Sequence, residues 1–165
     1  MSFEGRVAIV TGAGSPREIG RGIALCLAKK GADIVIADLN LDGAKAVAEE
    51  IRSLGRSALA IQLNVTDAAS VDVMVELTLK EFKKVDILIN NAVITQPIKT
   101  IDMLVEDFER IIDVNLKGTF ICSKAVLKPM IEKKYGRIVN MSSVSAKRGG
   151  GDMVVPITQP QRQAC

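Results

Sequence analysis

Three features of the sequence predict a doubly wound α/β fold: a parallel sheet in the order 3-2-1-4-5 with helices on both faces. Five short apolar runs alternate with amphipathic stretches along the 165 residues. The runs are apolar at nearly every position rather than at every second one, the pattern of strands covered on both sides. Glycines cluster between the first run and the first helical stretch, where sheets of this kind carry a phosphate-holding turn.

The first run, "RVAIVT", is rich in β-branched residues and ends at Thr11. A helical pattern follows over Ile19–Lys30, then the run "DIVIAD" ending at Asp38. Next come a helix over Leu41–Leu54, the run "SALAIQLNV" and a helix over Ala68–Phe82. "VDILINNA" is the fourth run, a long helix is predicted over Met103–Lys133, and "GRIVNMSS" is the fifth run. Strand–helix alternation with right-handed crossovers gives the stated order. Residues 1–151 read as one domain. Residues 152–165, "DMVVPITQPQRQAC", carry neither period and read as an irregular tail.

Composition narrows the chemistry. Hydrophobic residues make up 48% and charged residues 25%, ordinary for a globular protein. There is no His, so a His-based triad and a His-ligated zinc site are excluded, and no metal site is expected. The net charge of +3 is small and its Lys and Arg are spread along the chain, which gives nucleic-acid binding no support. Cys26, Cys122 and Cys165 form no Cys-x-x-Cys pair; Cys26 and Cys122 sit in apolar helical patterns, as core residues do. The start, "MSFEGR", has no apolar signal core, and no run approaches the roughly 20 residues of a membrane span. A cytoplasmic protein without membrane attachment is expected.

The glycine cluster carries the main functional signal. Gly12, Gly14, Gly20 and Gly22 lie between the first strand and its helix, and Pro16, Arg17 and Glu18 lengthen the turn beyond the standard spacing. A helix start offers unpaired N–H groups and a partial positive charge, and glycines let a pyrophosphate approach the backbone. Asp38 ends the second strand, where a carboxylate accepts both ribose hydroxyls of NAD and repels a 2′-phosphate. NAD is therefore favoured over NADP, with Arg17 and Arg21 as the residues that could favour a phosphate. The alternative for Asp38 is a helix cap before "LDGAKAVAEE".

With these residues in place, the chain resembles the short-chain dehydrogenase/reductase family over residues 5–151. "TGAGSPREIG" is similar to that family's glycine motif with two residues added, as its enoyl reductases also show. "LNVTD" (Leu63–Asp67) is similar to its adenine-side segment, with Asn64 in place of the usual Asp. "NNAV" (Asn90–Val93) resembles its Asn-Asn-Ala-Gly, with Val93 where Gly is usual. "VNLKGTF" supplies a helix asparagine, Asn115, and "GRIVNMSSVSA" a serine strand in which Ser143 matches the catalytic position. The resemblance implies a Rossmann-type fold and a cofactor-contact set of Gly12, Gly14, Ser15, Arg17, Ile19, Gly20, Asp38, Leu39, Asn64, Val65, Asn91 and Ala92. It also implies hydride transfer between NAD and a small alcohol or ketone, with Ser143 polarising the carbonyl and Asn115 fixing a water. Such proteins are usually homodimers or homotetramers.

The family's Tyr-x-x-x-Lys is not in this sequence. The only tyrosine, Tyr135, precedes Ser143, and no Tyr or Lys follows Arg148. Read two bases later from Asp152, synonymous codons for the tail can spell Tyr-Gly-Gly-Pro-His-Tyr-Ser-Ala-Ser-Lys-Ala-Gly-Val, which holds the missing pair. A one-base deletion near Gly151 is thus one expectation, and the coding DNA decides it. A chain lacking the pair and the family's last strands leaves the fifth strand as an open edge. It would also partly uncover the stripe Phe108, Ile111, Ile112, Leu116 and Phe120, giving a poorly soluble or partner-dependent fragment. Two other readings stay open: a non-catalytic nucleotide-binding or interaction module, and a nonfunctional truncated product.

Overall fold

The computed structural model describes residues 2–15 and 19–143. Arg17, the tail at 152–165 and the reading-frame expectation lie outside the described residues.

Among the described residues, five strands form one parallel sheet in the order β3-β2-β1-β4-β5. They are β1 (Val7–Thr11), β2 (Asp33–Asp38), β3 (Ala58–Gln62), β4 (Ile87–Asn90) and β5 (Arg137–Asn140). The order is the predicted one; β3, β4 and β5 are shorter than their apolar runs. Register is continuous across the centre, with Val10 level with Ile36 on one side and Ile89 on the other.

Alternation along β1 divides the core in two. Val7 and Ile9 face a cluster with Met74 of α3 (Ala68–Phe82) and Cys122 and Val126 of α5 (Thr119–Glu132). Ala8 and Val10 face the opposite cluster, with Ala24 of α1 (Ile19–Lys29) and Val47 and Ile51 of α2 (Leu41–Ser53). Both faces are therefore covered, which is why the runs are apolar throughout. Each large buried side chain contributes about 1.5–3 kcal/mol. β5 differs: Arg137 and Val139 are exposed, as on an edge strand. No helix among the described residues is long and apolar enough to cross a membrane.

Burial decides how the two described thiols behave. Cys122 is 1% exposed and desolvation pushes its thiol up to about 12, whereas Cys26 is exposed. Only the thiolate alkylates, so at pH 8 the folded chain is expected to lose Cys26 to iodoacetamide while Cys122 reacts roughly a thousandfold more slowly. Peptide mass mapping checks this. Equal labelling of the two in the folded chain would contradict the packing.

The long helix predicted over Met103–Lys133 is present and runs without a gap from Val105 to Glu132, with a π-helical turn in its middle. A short 3-10 turn (Thr100–Asp102) precedes it, and the run comprises α4 (Val105–Ile112), the π-helical segment (Asp113–Gly118) and α5. The cause of the π-helical segment is tertiary. The Asn115 amide is held by the Ile94 backbone, and Gly118 packs so closely that a Cβ there would lie 2.7 Å from Val65 Cγ2. An extra residue in the turn accommodates both contacts. The apolar stripe expected on this helix divides. Ile111 is buried with Ile94, Met103 and Ile112 around it, while Phe108 and Phe120 remain exposed.

At the amino ends of the strands a second polar cluster forms. Asp86 is buried and accepts from Val7 N–H at 2.9 Å and from Arg6 Nη1 at 2.9 Å. The Arg6 guanidinium lies 3.7 Å from the centre of the Tyr135 ring, and that of Arg137 lies 5.3 Å from it. This cation–π stack ties β1 to β5 at the end of the sheet away from the glycine turn.

Candidate functional site: a nucleotide cleft at the carboxyl ends of the strands

The turn after β1 is fastened to the end of β4 by Thr11. Its hydroxyl donates to the Ile89 carbonyl at 3.3 Å and accepts from the N–H groups of Asn91 at 3.1 Å and Ala92 at 3.0 Å. Asn91 returns the link: its Nδ2 donates to the carbonyls of Thr11 at 3.1 Å and Gly12 at 2.6 Å. Gly12 has φ +63°, and a Cβ on it would lie 2.6 Å from Ala92 Cα. Only glycine fits there, on both counts.

Beyond Gly12 the turn meets Asp38 at the end of β2. Asp38 accepts from Gly14 N–H through Oδ2 at 2.8 Å and from Asn40 N–H through Oδ1 at 2.9 Å. The cap alternative for Asp38 is corrected by this arrangement. Asn40 caps α2, its Oδ1 accepting from Gly43 N–H at 3.1 Å, because it stands one residue before the helix and its backbone is extended. Gly43 was not foreseen: a Cβ there would lie 2.0 Å from the Gly14 carbonyl, so the first turn of α2 is pressed against the glycine turn.

These elements surround a cleft of about 340 Å³. Of the residues expected at the cofactor, Gly12, Gly14, Ser15, Asp38, Leu39, Asn64, Val65 and Ala92 line it. Asn91 and Gly20 stand behind the wall, with Asn91 engaged by the turn and the Cβ position of Gly20 2.5 Å from Asn91 Nδ2. Ile19 is 68% exposed at the start of α1. Ala37, Asn40, Leu63, Ile94 and Val114 also line the cleft and were not singled out, and Val93 lines it beside Ala92. Val93 keeps a backbone open to any residue, so its replacement of the usual glycine costs no strain.

Asn115 is buried, and its amide is paired with one residue: Oδ1 accepts from Ile94 N–H and Nδ2 donates to the Ile94 carbonyl, both at 2.9 Å. Its own carbonyl accepts from Thr119 Oγ1 at 2.9 Å. It thus fixes the segment that follows β4. Ser143 lies exposed, just after β5, at the same end of the sheet. Tyr135 lies before β5, at the opposite end.

A nicotinamide dinucleotide fits the residues present. Gly12 and Gly14 themselves carry no side chain to keep a pyrophosphate from their backbone, and each Asp38 oxygen holds one backbone donor and retains acceptor capacity. The short chain dehydrogenase family model matches residues 6–155. The chain belongs to the short-chain dehydrogenases. A 3-oxoacyl-[acyl-carrier-protein] reductase of Synechocystis sp. is 43% identical over 145 residues, covering 87% of this chain and 58% of the relative. A sorbitol dehydrogenase of Cereibacter sphaeroides is 39% identical over 150 residues, 90% of this chain and 57% of the relative. Among solved structures, NAD⁺-bound xylitol dehydrogenase superposes with a TM-score of 0.90 at 33% identity, covering 99% of this chain and 62% of that one. This short-chain dehydrogenase chain therefore spans about three fifths of the length of the relatives it matches.

Proposed function

We propose that the cleft holds a nicotinamide dinucleotide, NAD in preference to NADP, for hydride transfer between that cofactor and a small alcohol/carbonyl pair. The observation that carries this is Asp38, a carboxylate tied to the glycine turn and open to the cleft at the end of β2. When bound, the nicotinamide would supply or accept the hydride.

The chain's own residues have separable tasks in this reading. Gly12, Gly14 and Ser15 present backbone to the pyrophosphate, with the start of α1 adding its partial positive charge. Asp38 accepts from the ribose hydroxyls, and exposed Leu39 offers no charge to a 2′-phosphate. Asn64 and Val65 flank the base. Ala92, Val93 and Ile94 form the wall at the other end of the cleft, held in place by Asn115. Ser143 polarises a carbonyl oxygen by donating its hydroxyl hydrogen. Substrate class stays at alcohol/carbonyl, because relatives of similar identity carry names as different as an acyl-carrier-protein reductase and a sorbitol dehydrogenase.

One observation favours a second reading for this chain, binding without catalysis. The sequence has no Tyr-x-x-x-Lys, and its single tyrosine is stacked between Arg6 and Arg137 at the far end of the sheet. Tyr135 is thus not placed to move a proton at the Ser143 end of the sheet. Titration with NADH, followed by nicotinamide fluorescence and calorimetry, is expected to show saturable binding and a raised Tm. Turnover is then measured on a panel of ketones and 3-oxoacyl thioesters. Binding without turnover supports the second reading and turnover restores the first. Absence of binding defeats both.

A further inference from the structure

α5 covers the sheet with Cys122, Val126, Pro129 and Met130, which are buried. Its opposite face carries Phe120, Lys124, Leu127, Lys128 and Ile131, at intervals that place all five on one arc of about 100°. The apolar members stand in water: Phe120 is 64%, Leu127 45% and Ile131 69% exposed. Lys124 and Lys128 are exposed too, and neither pairs with a carboxylate among the described residues. Lys133 and Lys134 follow at once, also exposed, and the one acid of α5, Glu132, falls outside the arc. Apolar side chains along one side and ammonium groups along the other thus share a single open face.

We propose that this face rests on an anionic lipid surface, with α5 lying parallel to the bilayer. Charge decides between the possible occupants. A second copy related by a two-fold axis sets the face against itself, and Lys124 and Lys128 then meet lysines with no carboxylate to pair with. A nucleic acid satisfies the lysines but leaves Phe120, Leu127 and Ile131 against phosphates. Lipid headgroups satisfy both halves. The apolar side chains enter the boundary with the acyl chains, while the lysine stems lie along it and carry their ammonium groups to the phosphates. α5 is too short and too charged to cross a bilayer, so the contact is one-sided. Three apolar side chains make a shallow anchor, and the lysines therefore make binding depend on anionic lipid.

The full chain is sedimented with vesicles of phosphatidylcholine alone, or with about 30% phosphatidylserine, at about 150 mM salt. Partition onto the anionic vesicles is expected to exceed that onto neutral ones by about thirtyfold. Lys124→Glu with Lys128→Glu is expected to lower it about thirtyfold, and Leu127→Ser with Ile131→Ser about tenfold. Lys29→Glu with Lys30→Glu makes the same change in net charge at the end of α1, on the other face of the sheet, and is expected to lose less than about threefold. Far-ultraviolet circular dichroism confirms that each variant is folded. Equal binding to both kinds of vesicle, or an equal loss in the α1 control, overturns the inference. So does a chain that stays in the supernatant throughout, or one that binds duplex DNA more tightly than anionic vesicles. A dimer that Leu127→Ser with Ile131→Ser dissociates overturns it in favour of a second copy.

Discussion

Asp38→Ala is expected to weaken NADH binding about a hundredfold. Two charge-assisted hydrogen bonds to ribose hydroxyls, at about 1.4 kcal/mol each, amount to two decades in Kd. NADPH should gain from the same change, because the group that repels a 2′-phosphate is gone, so the preference between the two cofactors should disappear. The substitution also removes the acceptor for Gly14 and Asn40 N–H, and a stability loss of about 1–2 kcal/mol accompanies it. Asp38→Asn separates the two effects. It keeps the shape and one acceptor without the charge, and an intermediate loss of about tenfold is expected. Unchanged NADH affinity in a folded Asp38→Ala chain would remove Asp38 from the site.

Gly12→Ala is expected to destabilise the fold by about 3 kcal/mol and to abolish measurable NADH binding. Two costs combine. The left-handed backbone at φ +63° penalises any Cβ by about 1–2 kcal/mol, and the new Cβ would stand 2.6 Å from Ala92 Cα, a backbone atom that cannot swing aside. Gly5→Ala supplies the control. Gly5 has φ +68° with nothing within 4 Å of its Cβ position, so that variant should lose only the conformational part, about 1 kcal/mol. Denaturant midpoints of the two variants measure the difference. Equal losses would mean that the turn does not press on the end of β4.

What the sequence made legible was local. The strands could be located because apolar runs covered on both faces need no partner to be recognised, and the crossover rule then ordered them. Asp38 was legible for the same reason: it ends a run, and its distance from the glycine turn follows from the order of strands. Asn115 stood out within "VNLKGTF", but its pairing with Ile94 depends on a contact 21 positions away in the chain. That contact, with Gly118 against Val65, goes with the π-helical turn in the middle of the long helix, and helical periodicity alone could not reveal it. Gly43 was overlooked because a glycine in a helix reads as a weak helix former. Its reason is the Gly14 carbonyl, which belongs to a different element. The cap of α2 is Asn40 and not Asp38, because Asp38 is engaged by the glycine turn, a contact between elements that the local sequence does not display.

The Tyr135 stack has an optical consequence. The chain contains one tyrosine and no tryptophan, so its intrinsic ultraviolet emission comes from a single ring clamped by two guanidinium groups beside β1 and β5. A bound reduced nicotinamide would emit from the other end of the same sheet. With that cofactor bound, the molecule would be labelled at both poles without any added dye. Denaturation followed in the two colours reports whether the sheet comes apart as one unit, with coincident curves, or loses one end before the other.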